Sequence, residues 1–423
     1  MPFFVDREID VGKFKHAAYK PCYWFEESLR TGGRRHCYKH DFGIDSFGCI
    51  QSTSFRGCNL VCVFCWRSVE SRPKVFKGYD EPETIVEELI KNQKQVVDES
   101  LEKCVENYKI ALHALVLISS KKVITVNEVA SSYGTSNSKV REAFLDLYNS
   151  GLVNRIDNNT YEINSQLVDR ALSEEEAKNI LAKYFTTLEE IIEAHEKARN
   201  PKHVAISFDG EPTMYPRLGE LIAAFRKRGI STFLVTNGTL PERIMQLWEE
   251  GNLPTQLYVT VQGPDLETYI KTTSSVFPYQ PSTRIHWERL NKTLEIMGKL
   301  PCRTVMRITA VKYVNMVNPE GYRKLAFKAN PDFLEIKGYA ISGHAPMMLV
   351  RLGMIQPLIK IERGDLMKQA LEFSPTYEEI EDFAKQVSDN FRIFPKISGN
   401  RESAQILMAV RWKDLNDVSI KQI

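Results

Sequence analysis

Residues 58–66 read Cys58-Asn59-Leu60-Val61-Cys62-Val63-Phe64-Cys65-Trp66. Three cysteines stand there in a Cys-x3-Cys-x2-Cys pattern on one short loop. Thiolates this close can each hold one iron of a four-iron cubane and leave the fourth iron without a protein ligand. Protein clusters are commonly held by four cysteines, so a close triplet points to a working metal site with an open iron. The competing reading is structural zinc, which takes four tetrahedral ligands, often in Cys-x2-Cys pairs. Here one gap is three residues, and the next cysteine downstream is Cys104.

The other cysteines sharpen this reading. The chain has 423 residues and 8 cysteines, six of them from Cys22 to Cys65 and only Cys104 and Cys302 beyond. That crowding argues for metal chemistry in a reducing compartment rather than a disulfide scaffold. Cys22, Cys37 and Cys49 are spaced too widely for one loop. If they meet in space they offer a second three-thiolate site; otherwise they are separate buried thiols. The net charge of +2 declares no nucleic-acid binding in bulk, so any basic patch is local. Hydrophobic residues make up 43 %, enough for a large core. No signal peptide and no apolar run of spanning length is legible, so a cytoplasmic protein with no membrane partner is expected.

Strand-like runs at 50–55, 203–208, 232–236, 256–261, 303–311 and 333–337 alternate with helical patterns at 218–228, 241–250, 285–299 and 319–328. This alternation predicts an α/β fold with a parallel sheet closed into a six-stranded partial (β/α) barrel. Residues 1–47 read as irregular, 82–95 as an amphipathic helix and 173–198 as another helix. Between them, residues 97–170 read as helix (101–119), short strand, helix-turn-helix and a hairpin around Asp157-Asn158-Asn159. That is the order of a winged-helix-like domain, inserted between the first and second barrel strands. Ser138, Lys139, Arg141 and Arg155 would face nucleic acid, or the module docks or packs against protein, its charges a solvated face. The expected organisation is therefore 1–96 (cysteine segment and barrel start), 97–170 (insert), 171–345 (rest of the barrel) and 346–423. The last part would cover the barrel mouth with two short helices in 345–374, then a helix at 377–388 and a strand-rich tail.

Chemistry in such folds sits at the C-terminal ends of the strands. There the chain carries Gly210-Glu211-Pro212-Thr213 and Thr236-Asn237-Gly238-Thr239. Glycine lets backbone approach a ligand, and Glu211 offers a carboxylate to a cationic amine. Gln262, Arg307, Lys312 and Lys337 are further candidates to line the cavity, Arg307 and Lys337 being equally readable as salt-bridged supports; Arg67, after Trp66, would meet a phosphate or carboxylate or is a solvated surface arginine.

The cysteine triplet with Phe64 before its last cysteine resembles the radical S-adenosylmethionine (SAM) superfamily. The run from Cys58 to Arg67, the upstream Cys22, Cys37 and Cys49, both strand-end segments, Arg307–Lys312 and Glu335–Tyr339 resemble one branch of it. That branch is the tRNA wybutosine-synthesis enzymes, the 4-demethylwyosine synthases, in the shorter archaeal type without a flavodoxin domain. The resemblance covers about 1–95 and 200–345; the insert and 345–374 depart from it. It implies a carbon–carbon lyase that condenses N1-methylguanosine 37 of tRNA-Phe with pyruvate through a 5′-deoxyadenosyl radical. It implies two 4Fe-4S clusters: Cys58, Cys62 and Cys65 would hold the SAM-binding one, and Cys22, Cys37 and Cys49 the other. Phe64, Gly210, Glu211, Pro212, Thr236, Asn237 and Gly238 would bind the cofactor. Lys39 would form a Schiff base with pyruvate, with Lys337 in reserve. An external electron donor and a monomeric chain complete the expectation.

Lys39 poses a physical question, because a Schiff-base lysine must be neutral to attack, whereas nearby thiolates favour the ammonium. It would then serve as a charge partner for the pyruvate carboxylate unless burial prevails. Two other readings stand beside the first: a radical-SAM enzyme acting on a small molecule or protein glycyl site, and a zinc-holding winged-helix regulator that binds nucleic acid.

Overall fold

The computed structural model describes residues 7–68, 76–275, 283–355 and 363–410. Its centre is a sheet in which six strands run parallel in chain order: β1 (Cys49–Thr53), β2 (His203–Ile206), β3 (Ser231–Thr236), β4 (Gln256–Thr260), β5 (Arg303–Ala310) and β6 (Phe333–Gly338). An N-terminal hairpin, Ile9–Val11 with Ala17–Tyr19, extends the β1 edge antiparallel. A C-terminal hairpin, β7 (Lys396–Asn400) and β8 (Gln405–Ala409), extends the β6 edge in the same sense.

Side chains alternate across each strand, and the register divides them cleanly. Ile50, Val204, Ile206, Leu234, Leu257, Val259, Met306, Ile308, Leu334 and Ile336 point outward into the main core. Helices Leu218–Lys227, Thr283–Met297, Pro319–Ala329 and Tyr377–Ser388 cover that face. The opposite, concave face carries a smaller cluster with Phe42, Ile44, Ala205, Phe233, Tyr258, Val305 and Leu407, against which Cys49 packs. The concave face is where polar chemistry enters, since Arg307 and Glu335 lie opposite one another there.

Several elements differ from the expectation. Residues 1–47 are not irregular throughout: they hold the N-terminal hairpin and the helix Tyr23–Arg30. The helices expected at 82–95 and 101–119 are one helix, Pro82–Lys121, because nothing between them breaks the backbone ladder. The expected division at 96/97 thus falls inside a continuous element. The helix expected at 173–198 is two, Glu174–Tyr184 and Leu188–Ala198; Thr187 and Glu190 form a capping box that starts the second. The mouth carries Ala345–Arg351 and Arg363–Leu371, with 356–362 outside the described residues.

The inserted unit has its own core. The C-terminal half of the long helix, helices Val126–Tyr133 and Asn137–Asn149, and a three-stranded antiparallel sheet enclose Ile110, Val129, Phe144, Leu147 and Tyr161. Leu181 and Ile191 join this core, so the helices at 174–198 pack with the insert rather than wholly with the barrel. Among the described residues no helix is long and apolar enough to cross a membrane.

Candidate active site

The cysteine loop leaves β1 through Ser54–Gly57 and is held by the ends of the next two strands. The Glu211 N–H donates to the Gly57 carbonyl at 2.7 Å. Gly210 has φ +68°, and a Cβ there would overlap the Phe55 carbonyl. Both facts require glycine. Beyond Gly210, the buried Glu211 carboxylate acts as a strut. Its Oε1 accepts from Thr213 N at 3.1 Å, Thr213 Oγ1 at 2.5 Å and Thr236 Oγ1 at 2.7 Å; its Oε2 accepts from Asn237 N at 2.7 Å. Burial pushes the Glu211 carboxyl up, against these four donors. Pro212 opens the short 3-10 turn that presents Thr213.

Asn237 then reaches the loop itself. Its Nδ2 donates to Asn59 Oδ1 at 2.9 Å and lies 3.9 Å from Cys58 Sγ. Asn59 Nδ2 returns a bond to Thr239 Oγ1 at 2.8 Å. Gly238 has φ +71°, and a Cβ would crowd Leu290 and Val259. Cys62 pairs with Thr273 in a short antiparallel ladder, and Cys65 N donates to Cys62 O at 3.0 Å. Val63, with Phe64 and Trp66, packs among Val311, Val314, Tyr339 and Leu349 at the mouth. Trp66 Nε1 donates to Phe208 O at 2.8 Å.

The upstream cysteines lie in one another's electrostatic field. Cys22 caps the helix Tyr23–Arg30, its Sγ accepting from Phe25 N at 3.3 Å. Burial pushes the Cys22 thiol up to about 12, reinforced by Cys37 and Cys49 in its field. Burial likewise pushes Cys49 up to about 11, with Lys39 opposing and Cys37 adding. The three thiols and Lys39 therefore share one electrostatic neighbourhood. For Lys39, burial opposes the charge, but Tyr38, Cys49 and Cys37 outweigh it and hold the amine above the usual lysine range, with Arg307 counteracting. Arg307 donates to Tyr38 Oη at 2.7 Å and Glu335 at 3.0 Å, and stacks 4.4 Å from the Tyr258 ring. Lys337 Nζ lies 4.7 Å from the Tyr38 ring.

Each set offers the donors an iron–sulfur cluster needs: three partly exposed cysteines, with N–H groups aimed at Cys22 and Cys58 that would tune the metal. Among the described residues no three His, Cys, Asp or Glu converge on one ion; a four-iron cluster needs no such convergence, because each thiolate holds a different iron. Buried polar atoms also wait for partners: among the described residues Gln262 Oε1 and the hydroxyls of Tyr258 and Tyr339 make no hydrogen bond. Cys62 and Cys58 lie in the field of the Tyr269 hydroxyl. Tyr339 packs with Val63 of the loop, while Tyr258 lies by Arg307 on the concave face, and such unpartnered atoms suit a polar ligand.

Some candidates are committed elsewhere. Arg67 is not free for phosphate: it pairs with Glu8 at 2.6 Å and Asp209 at 3.0 Å and stacks on Trp66. Lys312 pairs with Glu379 at 2.6 Å. On the insert, Lys139 pairs with Glu106 at 2.7 Å and Arg155 folds onto its own hairpin. Sequence reasoning missed Asn59, Tyr38 and Tyr269. Asn59 stood within the decisive loop, but its partners lie at 237 and 239.

Residues 161–326 match the model of the Radical SAM superfamily. That match begins beyond the cysteine loop, so the two are separate grounds. A relative from Pyrococcus abyssi, the S-adenosyl-L-methionine-dependent tRNA 4-demethylwyosine synthase, is 35 % identical over 335 residues, covering 78 % of this chain and 71 % of the relative. The structure of TYW1 with a lysine–pyruvate adduct bound superposes with TM-score 0.56 at 23 % identity, over 94 % of this chain and 92 % of that one. The crystal structure of archaeal TYW1 gives 0.55 at 22 %, over 96 % and 92 %. These two likenesses bear on the fold and agree with the expected partial barrel. On sequence and fold together, the chain belongs to the radical-SAM tRNA 4-demethylwyosine synthases, enzymes that modify tRNA with S-adenosylmethionine and an iron–sulfur cluster.

Proposed function

We propose that this chain carries two 4Fe-4S clusters and joins pyruvate to N1-methylguanosine 37 of tRNA-Phe. Cys58, Cys62 and Cys65 would hold the SAM-binding cluster; Cys22, Cys37 and Cys49 would hold the second. When loaded, the SAM centre supplies a 5′-deoxyadenosyl radical. The protein's part is placement. Phe64, Gly210, Pro212, Thr236, Asn237 and Gly238 shape the cofactor's side of the loop. Glu211 Oε2, which accepts from the Asn237 N–H, is the carboxylate oxygen left for the cofactor's ammonium.

Lys39 is the residue assigned to pyruvate. Its amine would add to the keto carbon and water would leave, giving an imine, once the ammonium has passed on a proton. The single observation that carries this reading is the place of Lys39 on the short 3-10 helix Tyr38–Phe42, which Cys37 caps and whose Phe42 lies in the cluster against which Cys49 packs. The adduct named for the TYW1 structure supports it by analogy. Lys337, which faces Tyr38 on the same side, is the alternative amine. The starting electron comes from an external donor, and the chain acts as a monomer.

The test is anaerobic reconstitution. Wild type should hold about eight irons and as many sulfides, and Cys37→Ala about four. Wild type should also convert N1-methylguanosine tRNA into a tricyclic base with pyruvate, SAM and reductant. Four irons in both proteins, or no new base, would reject the reading.

A further inference from the structure

The reaction assigned above gives the inserted unit no work. On its helix Lys139 is paired with Glu106, while Arg141 and Arg155 reach the neutral Asn159 and Asn158 and keep their charge. The unit, together with the two helices at 174–198 that pack with it, grips the upstream cysteine segment at two points.

The first grip is buried. Helix Tyr23–Arg30 begins at Cys22 and ends at Arg30. Arg30 donates to Glu27 of its own helix at 2.6 Å and pairs with Asp146 at 2.8 Å, on the insert helix Asn137–Asn149. Their side chains are 5 % and 1 % exposed. Asn107 of the long helix donates to Asp146 at 2.5 Å. Glu27 also pairs with Arg35, which holds Glu402 in the C-terminal hairpin at 3.1 Å. The second grip lies on the way to Cys37. Arg34 donates to Ala182 O at 2.6 Å and Glu190 at 2.9 Å. Gly32, φ +59°, leaves no room for a Cβ against Glu190. Ala182 and Glu190 lie on the two helices that pack with the insert.

A buried ion pair is poor stability for its desolvation; replacing it with apolar groups is often neutral or better. Its best-attested use is to set register. Here the register is that of an eight-residue helix, about 12 Å long, with the clamp at one end and a thiol at the other. A small tilt at Arg30 displaces Cys22, and metal ligands tolerate only about 0.5 Å.

We propose that the inserted unit is a brace that positions Cys22 and Cys37, with Arg30 and Asp146 as its positioning residues. The inference rests on the two-cluster reading for its consequence, not for its geometry. Three full-length proteins test it: wild type, Asp146→Ala, and the apolar pair Arg30→Met with Asp146→Leu. On apo protein, iodoacetamide labelling read by mass spectrometry should accelerate several-fold at Cys22 and Cys37 in Asp146→Ala. Cys58, Cys62 and Cys65 should label as in wild type. The apolar pair should recover thermal stability yet keep the fast labelling. After reconstitution both variants should hold about four irons against about eight, and lose the second cluster's contribution to the EPR spectrum. Wild-type labelling in Asp146→Ala overturns the brace. So does an apolar pair that restores slow labelling together with stability, since the contact is then packing alone. Wild type holding about four irons would defeat the two-cluster reading, while labelling still judges the brace.

Discussion

Asn237, at the end of the third barrel strand, donates a 2.9 Å hydrogen bond to Asn59 inside the cysteine loop. A turn signal at one place and a spacer residue at another thereby become one fixture beside Cys58. Its Oδ1 also accepts from Thr239 N at 3.0 Å, closing the turn. Asn237→Ala should therefore cost about 1–3 kcal/mol, as for buried groups left unpaired. SAM cleavage should fall more steeply than stability predicts, because the cluster loop loses its outside support. Urea denaturation and methionine release check this. Wild-type cleavage in a destabilised protein would separate Asn237 from the loop's function.

Gly210→Ala meets two obstacles at once, a left-handed φ of +68° and the Phe55 carbonyl. The expected loss exceeds about 2 kcal/mol, from backbone strain alone of about 1–3 kcal/mol plus the overlap. Denaturant midpoints on apo protein read it without involving metal.

Lys39 separates chemistry from charge. Lys39→Ala should retain full iron and SAM cleavage yet form no tricyclic base. Lys39→Arg keeps the charge beside Cys37 and Cys49 but offers no nucleophilic amine. Borohydride should trap labelled pyruvate on wild type and on neither variant. Product from the arginine variant would make Lys39 a partner for the pyruvate carboxylate instead.

Stability should fall in mild acid through buried neutral histidines. His16 donates from Nδ1 to Ser54 O at 2.8 Å and accepts from Asp80 N at Nε2, 2.9 Å. Burial lowers its pKa below 6.5, with Ser54 and Asp80 opposing. His195, bonded to Ile191 O and near Ser100, is lowered by burial in the same way. The unfolded chain binds these protons at higher pH than the folded one. Stability is thus complete above about 6.5 and lost below it, by at most about 1.4 kcal/mol per pH unit per group. Apo protein unfolded in urea from pH 8 to 5 should show the fall, and His16→Gln should give a lower but flatter curve. A curve as steep as wild type would remove His16 from the account.

The order of strands and helices, the cysteine loop and the Gly210 and Asn237 segments were legible because their signals are local. Alternation marks the strands, helical spacing marks the outer layer, and Cys58, Cys62 and Cys65 lie within one turn of chain. The long helix Pro82–Lys121 was misread as two because a polar stretch resembles a break when the surfaces covering it are unknown. Arg67 looked available because Glu8 and Asp209 are far away in the chain. Glu211 was readable as a ligand for an amine; that its carboxylate also ties two strand ends together was not.

What the chain's order alone determined was a metal loop set at the end of a parallel strand. Only the tertiary structure decided that Cys22, Cys37, Cys49 and Lys39 share one electrostatic neighbourhood, and that Asp146, more than a hundred residues downstream, pairs with Arg30 at the far end of the helix that Cys22 caps. Periodicity reports which face of an element is apolar. It carries no information about which distant polar group will close a buried ion pair, since that depends on how whole elements pack once water is excluded between them.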